Sequence, residues 1–472
     1  MRVCLLVFFC LLLKINAASK VRLAGVFGDH MVLQQQTKIV IWGWAEPGSV
    51  VSVKPSWNWQ ENSIRAGSDG RWRLPVLTPT AGGPYTMVIS DGSALTILDI
   101  LIGEVWICSG QSNMTMPVKG FPDNPVKDSA AEIEHAKNDK IRLFDVGRSA
   151  LLGTQDDVKG SWKEVSSATV ANFSATAWFF GKTLQEKLGI PVGLITTSWG
   201  GSTIETWMSE KALSAFQSVK IPKTADSIKL PQQTPTILFN NMLYPLIGYR
   251  IKGAIWYQGE SNRNNPVQYP LLFESMVKDW RLRWGIGDFP FYYLQIAPFS
   301  YFPKGGKGLS SAYIREAQMK AEDRVPNTGM AILMDVGEEK MIHPGDKKSA
   351  GTRLAYLALS RSYGMKEISD TGPIYKAMTI RGNSAFLTFK HAEEGLTSNG
   401  KELRLFEIAG ADRLFFPAQA TITDKGVKVR SSMVKKPVAV RYAFMDFVIG
   451  DLFNSSGFPA SSFRTDDWPV TN

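Results

Sequence analysis

A chain of 472 residues with 44% hydrophobic and 20% charged residues is globular rather than disordered, and long enough for two or three domains. Its net charge of +10 is scattered, with only short runs such as Lys435-Lys436, which argues against nucleic-acid binding and for a solvated surface with some attraction for acidic glycans. No segment after the first residues approaches the length needed to span a membrane.

The chain opens with a basic start, an apolar stretch from Val3 to Leu13 and a small residue at Ala17. This predicts a secretory signal peptide over residues 1–17, cleaved after Ala17 or Ala18. Cys4 and Cys10 would leave with it, so Cys108 remains alone and no internal disulfide forms in the mature chain. That usage fits a bacterial periplasm better than a eukaryotic secreted enzyme, so the expected location is periplasmic or extracellular.

From residue 18 to about 100, short apolar or alternating runs such as Lys38–Trp44 and Val50–Val53 are broken by Glu46-Pro47-Gly48, Asp69-Gly70 and Gly82-Gly83-Pro84. This spacing predicts a small N-terminal β-sandwich. Over 101–372 the rhythm changes to strands alternating with helices. Val105–Cys108, Val192–Thr197, Lys252–Tyr257, Phe291–Ile296 and Met330–Met334 read as strands. Phe273, Val277, Trp280 and Trp284 fall on one helical face, and Phe180, Leu184 and Leu188 on another that ends at Gly189-Ile190-Pro191. The fold class is therefore α/β, with a mostly parallel sheet covered on both faces. Residues 373–472 return to β-like alternation and predict a C-terminal β-rich region.

Chemistry concentrates at the predicted strand ends, where open α/β sheets collect their ligands. Ser112, in Gly110-Gln111-Ser112-Asn113-Met114, follows the first core strand and is a candidate nucleophile. Trp199-Gly200-Gly201-Ser202 follows the second, and Gln258-Gly259-Glu260-Ser261-Asn262 the third. Such loops offer the main-chain N–H groups and neutral side-chain donors that an oxyanion requires. A serine nucleophile needs a base, and the chain has four histidines. His30 falls in the N-terminal region, His135 in a charged helical stretch and His391 among polar C-terminal residues. His343, in a loop after the last core strand, lies at the same sheet edge as Ser112.

These blocks, with Ile342-His343-Pro344, Phe27–Gln34 near the start and Phe463–Asp466 near the end, resemble those of the SGNH hydrolases and, more narrowly, the sialate O-acetylesterase family. The resemblance covers nearly all of the chain after the signal segment. It implies a flavodoxin-like catalytic domain flanked by β regions, removing acetyl groups from sugar hydroxyls without metal or cofactor. It further implies Ser112 as nucleophile, His343 as base, and an oxyanion hole from the Ser112 N–H, a glycine N–H of Gly200 or Gly201, and the Gln258 side-chain amide. Trp199, Glu260 and Asn262 are then candidate substrate contacts, with Glu260 tying loops together or binding a sugar hydroxyl.

One position departs from the pattern. Lys340 stands three residues before His343, where many SGNH enzymes place the aspartate that orients the imidazole, and a lysine cannot accept its N–H. Either Asp335, Glu338 or Glu339 serves, or a backbone carbonyl does and the site works as a Ser–His dyad. O-acetylated sialic acid is the expected substrate, and Arg263 or Arg315 would meet its carboxylate. The alternatives are an acetyl esterase acting on plant polysaccharide such as xylan, and a non-catalytic glycan-binding protein.

Overall fold

A computed structural model describes residues 21–301 and 308–469. The expected signal segment lies outside the described residues. Six parallel strands form the centre of the molecule, in the order Ile141–Asp145, Val192–Ser198, Ala94–Gly110, Gly253–Tyr257, Phe291–Leu294 and Thr328–Ala331. Trp162–Glu164 pairs antiparallel with the outer edge of Ile141–Asp145. These strands read as near-continuous apolar runs because helices bury both their faces. Ala175–Leu188 and Lys347–Ser362 pack together on one side, and Tyr269–Trp284 and Ser310–Glu322 on the other.

Leaving out Ile141–Asp145, the five core strands follow the order 2-1-3-4-5 in chain sequence. The connection therefore reverses direction beside Ala94–Gly110, opening a crevice where ligands gather in such sheets. The five strands expected from the sequence are all present. Ile141–Asp145 is an additional strand, with alternation too short to stand out from its charged flanks.

The expected N-terminal boundary near residue 100 falls inside one continuous strand of 17 residues, Ala94–Gly110. Its first half pairs antiparallel with Gly82–Ser90, and its second half is the central strand of the parallel sheet. A smaller antiparallel sheet of Arg22–Leu23, Lys38–Trp44 and Arg71–Leu77 packs on the N-terminal half, burying Ile39, Ile41, Trp72 and Leu74. After residue 373 come two four-stranded antiparallel sheets, Ile374–Arg381/Ser384–Lys390/Gly426–Arg430/Gln419–Thr423 and Phe415–Pro417/Phe406–Ala409/Ala439–Tyr442/Phe463–Arg464. No helix among the described residues is long and apolar enough to cross a membrane.

The ordered segments near the chain ends act as ties between these regions. Gln34 accepts from the Val105 N–H and donates to Glu104 on the long strand. Arg464 pairs with Glu316 of the helix Ser310–Glu322 and with Asp466, which also holds Arg441.

Candidate active site

Gly110 ends the central strand with φ +141, and a methyl group built on it would lie 2.2 Å from the Tyr257 carbonyl oxygen. Only glycine lets the two central strands stay paired while the chain turns out of the sheet. Ser112 then opens the short helix Ser112–Thr115, half-buried, with a main-chain N–H that has no intrahelical acceptor. The turn is fixed from beneath: the Gln111 N–H donates to the Tyr257 carbonyl, and the Gln111 side chain accepts from the Gly259 and Ser261 N–H groups. Thr176 and Ser174, at the start of Ala175–Leu188, donate to the Asn113 and Met114 carbonyls.

The loop after Val192–Ser198 lies against this turn. A methyl group on Gly200 would sit 3.4 Å from the Ser112 Cβ, whereas one on Gly201 would approach Gln232 instead. Of the two glycines, Gly200 is the one beside the serine. Trp199 is half-buried, its N–H donates to the Gly110 carbonyl, and the exposed Arg148 guanidinium stacks 5.0 Å from its ring centroid.

His343 occupies the loop before Lys347–Ser362. Phe121 packs edge-on to its ring at 5.1 Å, and Asn124 Nδ2 donates to its carbonyl. Burial, and then the positive charge of Lys347, push its pKa down to about 4. The imidazole is thus neutral at pH 7, the form a general base requires. Among the described residues no carboxylate is within hydrogen-bond distance of the ring, and no hydrogen bond joins the ring to Ser112. Asp335 is held by both its oxygens on Arg353, and Glu338 accepts from the Gly345 N–H. Lys340 and Glu339 are exposed.

Asn113, next to the serine, joins the loops. Its Nδ2 donates to Glu260 Oε1 at 2.6 Å and to the Ile342 carbonyl at 3.1 Å, and its Oδ1 accepts from Lys347 Nζ. Two acceptors on one side and a cation on the other fix which way the amide points. The bond to Ile342 ties the serine turn to the residue preceding His343. Lys347 is fully buried, and burial lowers its pKa to about 7 against the opposing pull of Glu260. Burial raises the pKa of Glu260 in turn. Sequence reading missed both Asn113 and Lys347. A lysine at the start of a helix reads as solvent-facing, and only its placement four residues after His343 hints otherwise.

The expectations for Gln258, Asn262 and Arg315 are corrected by this geometry, and of the two readings of Glu260 it favours the loop tie. Gln258 does not present a donor to an oxyanion, because its Nε2 donates to the Ser202 carbonyl at 3.1 Å and to Asn262 Oδ1 at 2.6 Å. Its Oε1 accepts from Tyr269, and Asn262 Oδ1 also accepts from the Ile204 N–H, so neither amide can be flipped without losing bonds. Asn262 is buried with its Nδ2 on Glu205, so it braces loops rather than meeting substrate. Glu260 is 4% exposed and bonded to Asn113, which makes it a loop tie, not a sugar contact. Arg315 is also unavailable to a ligand: it is fully buried and donates to Ser311, Ser462 and the Met445 carbonyl. Arg263 stacks 4.4 Å from the Tyr301 ring centroid beside the Glu260 turn.

The one described group with metal-ligand spacing is His30, Asp99 and Glu164, whose carboxylates already face the Arg142 guanidinium.

The family described as carbohydrate esterase, sialic acid-specific acetylesterase, matches residues 102–358, more than half of the chain. The chain belongs to this family. It is similar to the sialate O-acetylesterase of Pongo abelii, at 29% identity over 91% of this chain and 88% of that protein. The sialate O-acetylesterase of Mus musculus is 28% identical over 91% of this chain and 90% of its own length. The crystal structure of a carbohydrate acetylesterase from Xanthomonas citri superimposes with a TM-score of 0.87 at 34% identity, covering 95% of this chain and all of that one. This member of the acetylesterase family is a carboxylic ester hydrolase, and its kinship supports sugar O-deacetylation as its activity. The matched span runs from the second half of the long strand to the helix Lys347–Ser362, and so includes Ser112, Gly200, Asn113, His343 and Lys347.

Proposed function

We propose that the chain is a serine esterase that removes acetyl groups from O-acetylated sialic acids, using Ser112 and His343 as a dyad on an SGNH-type, flavodoxin-like core. The observation that carries the reading is the convergence of three loops at one crevice. Gly200 lies against Ser112, and Asn113 bonds the residue before His343.

His343 takes the Ser112 hydroxyl proton as Oγ bonds to the acetyl carbon. The carbonyl oxygen becomes an oxyanion held by the Ser112 and Gly200 N–H groups. As it collapses, the bond to the sugar oxygen breaks and His343 returns the proton to the leaving alcohol. Water, deprotonated by His343, then attacks the acetyl-serine; as this second intermediate collapses the Oγ–acetyl bond breaks, His343 returns the proton to Ser112 Oγ, and acetate leaves. Two main-chain donors serve here because the Gln258 amide is committed elsewhere. The imidazole is oriented by the Phe121 edge and by its tethered backbone, not by a carboxylate. Arg148, over Trp199, and Arg263, beside Glu260, are the cations placed to meet a sugar carboxylate.

We read residues 18–100, 101–372 and 373–472 as N-terminal β, catalytic and C-terminal β units, exported behind a signal peptide to the periplasm or beyond. The functional test is acetate release from O-acetylated sialic acid and from acetylated xylan, with wild type and Ser112→Ala. Release from the sialic substrate alone, lost in the variant, supports the reading. Release from xylan alone keeps the dyad and changes the substrate. Glycan binding without Ser112-dependent release from either would overturn the esterase reading.

A further inference from the structure

The loop that carries His343, the proposed base, is gripped on both sides by one amide. Asn113 Nδ2 donates at 3.1 Å to the carbonyl of Ile342, the residue before His343. Asn113 Oδ1 accepts from Nζ of Lys347, four residues after His343. Two other bonds hold the same loop, from Asn124 Nδ2 to the His343 carbonyl and from the Gly345 N–H to Glu338 Oε1. Neither of these comes from the element that carries Ser112. Asn113 does, because it is the second residue of the helix Ser112–Thr115. It is 1% exposed, and Thr176 Oγ1 donates to its carbonyl, so its main chain is held as well as its side chain.

The charges around this amide settle which way it points. Lys347 and Glu260 are both buried, and withdrawing two ions from water is costly, least so when they pair. They form no direct ion pair. The Asn113 amide lies between them, with Oδ1 on the ammonium and Nδ2 on Glu260 Oε1 at 2.6 Å. A carboxylate only accepts and an ammonium only donates. Turning the amide over would set its NH2 against the ammonium and its oxygen against two acceptors, Glu260 and the Ile342 carbonyl. The two charges therefore enforce one orientation, and that orientation aims the second Nδ2 hydrogen at Ile342.

We propose that Asn113 is a positioning residue that sets His343 against Ser112 through the Ile342 carbonyl, with Glu260 and Lys347 as an electrostatic clamp on its amide. A backbone grip from the nucleophile's own helix thus replaces a carboxylate bonded to the imidazole ring. The proposal rests on the reading of Ser112 and His343 as nucleophile and base. The grip acts on the reaction rather than on affinity, because both Nδ2 hydrogens are committed within the protein and the side chain is buried.

The test uses Asn113→Asp, alone and combined with Glu260→Gln, in the full-length protein. Asn113→Asp keeps the shape of the side chain and its acceptor for Lys347. It has no hydrogen for Ile342, and it sets a second carboxylate against Glu260. Adding Glu260→Gln removes that repulsion, since the new amide donates to the introduced carboxylate and the number of buried charges is restored. The double variant therefore lacks the grip on Ile342 and little else.

Melting temperature, and kcat and KM for acetate release from a small acetyl ester, are measured for each variant beside wild type and Ser112→Ala. Asn113→Asp alone should melt well below wild type. The double variant should recover most of that loss, while its kcat stays about a hundredfold or more below wild type and its KM within about threefold. Recovery of kcat along with melting temperature would overturn the proposal, since the grip on Ile342 would then be dispensable. A double variant that melts no higher than Asn113→Asp would also overturn it, by showing that the two charges do not hold the amide. Failure of the underlying esterase reading looks different: Ser112→Ala would then release acetate as fast as wild type, and the positioning role would fall with it.

Discussion

At the scale of single residues, the site turns on a buried cation four positions after His343, the proposed base. Lys347 repels the protonated imidazole of His343, whose pKa burial and this charge together hold near 4. The acid limb of kcat/KM for the free enzyme should therefore fall near pH 4 rather than near the ordinary histidine value. Lys347→Met should move that limb upward, because removing a positive neighbour makes protonation easier, while burial still keeps it below 6.5. The same variant unpins Asn113 and should lower kcat/KM about tenfold to a hundredfold, since small displacements of reacting groups are costly. A pH–rate profile of both proteins decides this, and an unmoved limb would remove Lys347 from any role in setting the base.

Lys347 also leaves a mark on stability. Its folded pKa is about 7, against an ordinary value of 10.5. Between those values the unfolded chain binds the extra proton, so this residue's contribution to stability rises as pH climbs from about 7 to 10.5. Below pH 7 both states are charged and the full cost of burying the cation is felt. The urea midpoint of the wild type should rise over that window relative to Lys347→Met.

At the scale of elements, the geometry of each loop follows from how its strand ends. Gly110 has a positive φ and almost no space beside Tyr257, so Gly110→Ala should destabilise the protein by more than about 3 kcal/mol and abolish turnover. Thermal unfolding and acetate release measured together would show it. Gln258→Ala separates bracing from catalysis. It leaves the Ser202 carbonyl without its side-chain donor, while Asn262 Oδ1 keeps the Ile204 N–H, so it should cost roughly 2 kcal/mol of stability. A hundredfold fall in kcat with no change in melting temperature would instead restore Gln258 as an oxyanion donor. The strand–loop positions of Ser112, Gly200, Gln258 and His343 were legible in the sequence, because apolar runs ending in Gly, Gln and Ser mark the edge of an α/β sheet. The use made of each amide was not. Whether Gln258 faces a ligand or a neighbouring carbonyl depends on Ser202 and Tyr269, which pattern alone does not bring near it. Lys347 was illegible for a similar reason: its burial is set by Asn113 and Glu260, 234 and 87 positions away along the chain.

At the scale of the whole molecule, the β regions are built into the catalytic core rather than appended to it. The strand Ala94–Gly110 belongs to both the N-terminal sheet and the parallel sheet, which is why a change of sequence rhythm near residue 100 marks no linker. The C-terminal region is joined through buried charges instead. Asp466, with 1% of its side chain exposed, binds Arg441 and Arg464, and Arg464 reaches Glu316 on the helix Ser310–Glu322. Breaking a buried pair leaves an uncompensated charge, a loss of about 3 kcal/mol or more. Asp466→Asn should therefore lower the melting temperature, while the fraction that stays folded keeps its kcat, because no member of this network touches the Ser112 crevice. The opposite result, intact stability with a reduced kcat, would mean that the C-terminal region acts on the reaction through Ser310–Glu322 rather than by holding the core together.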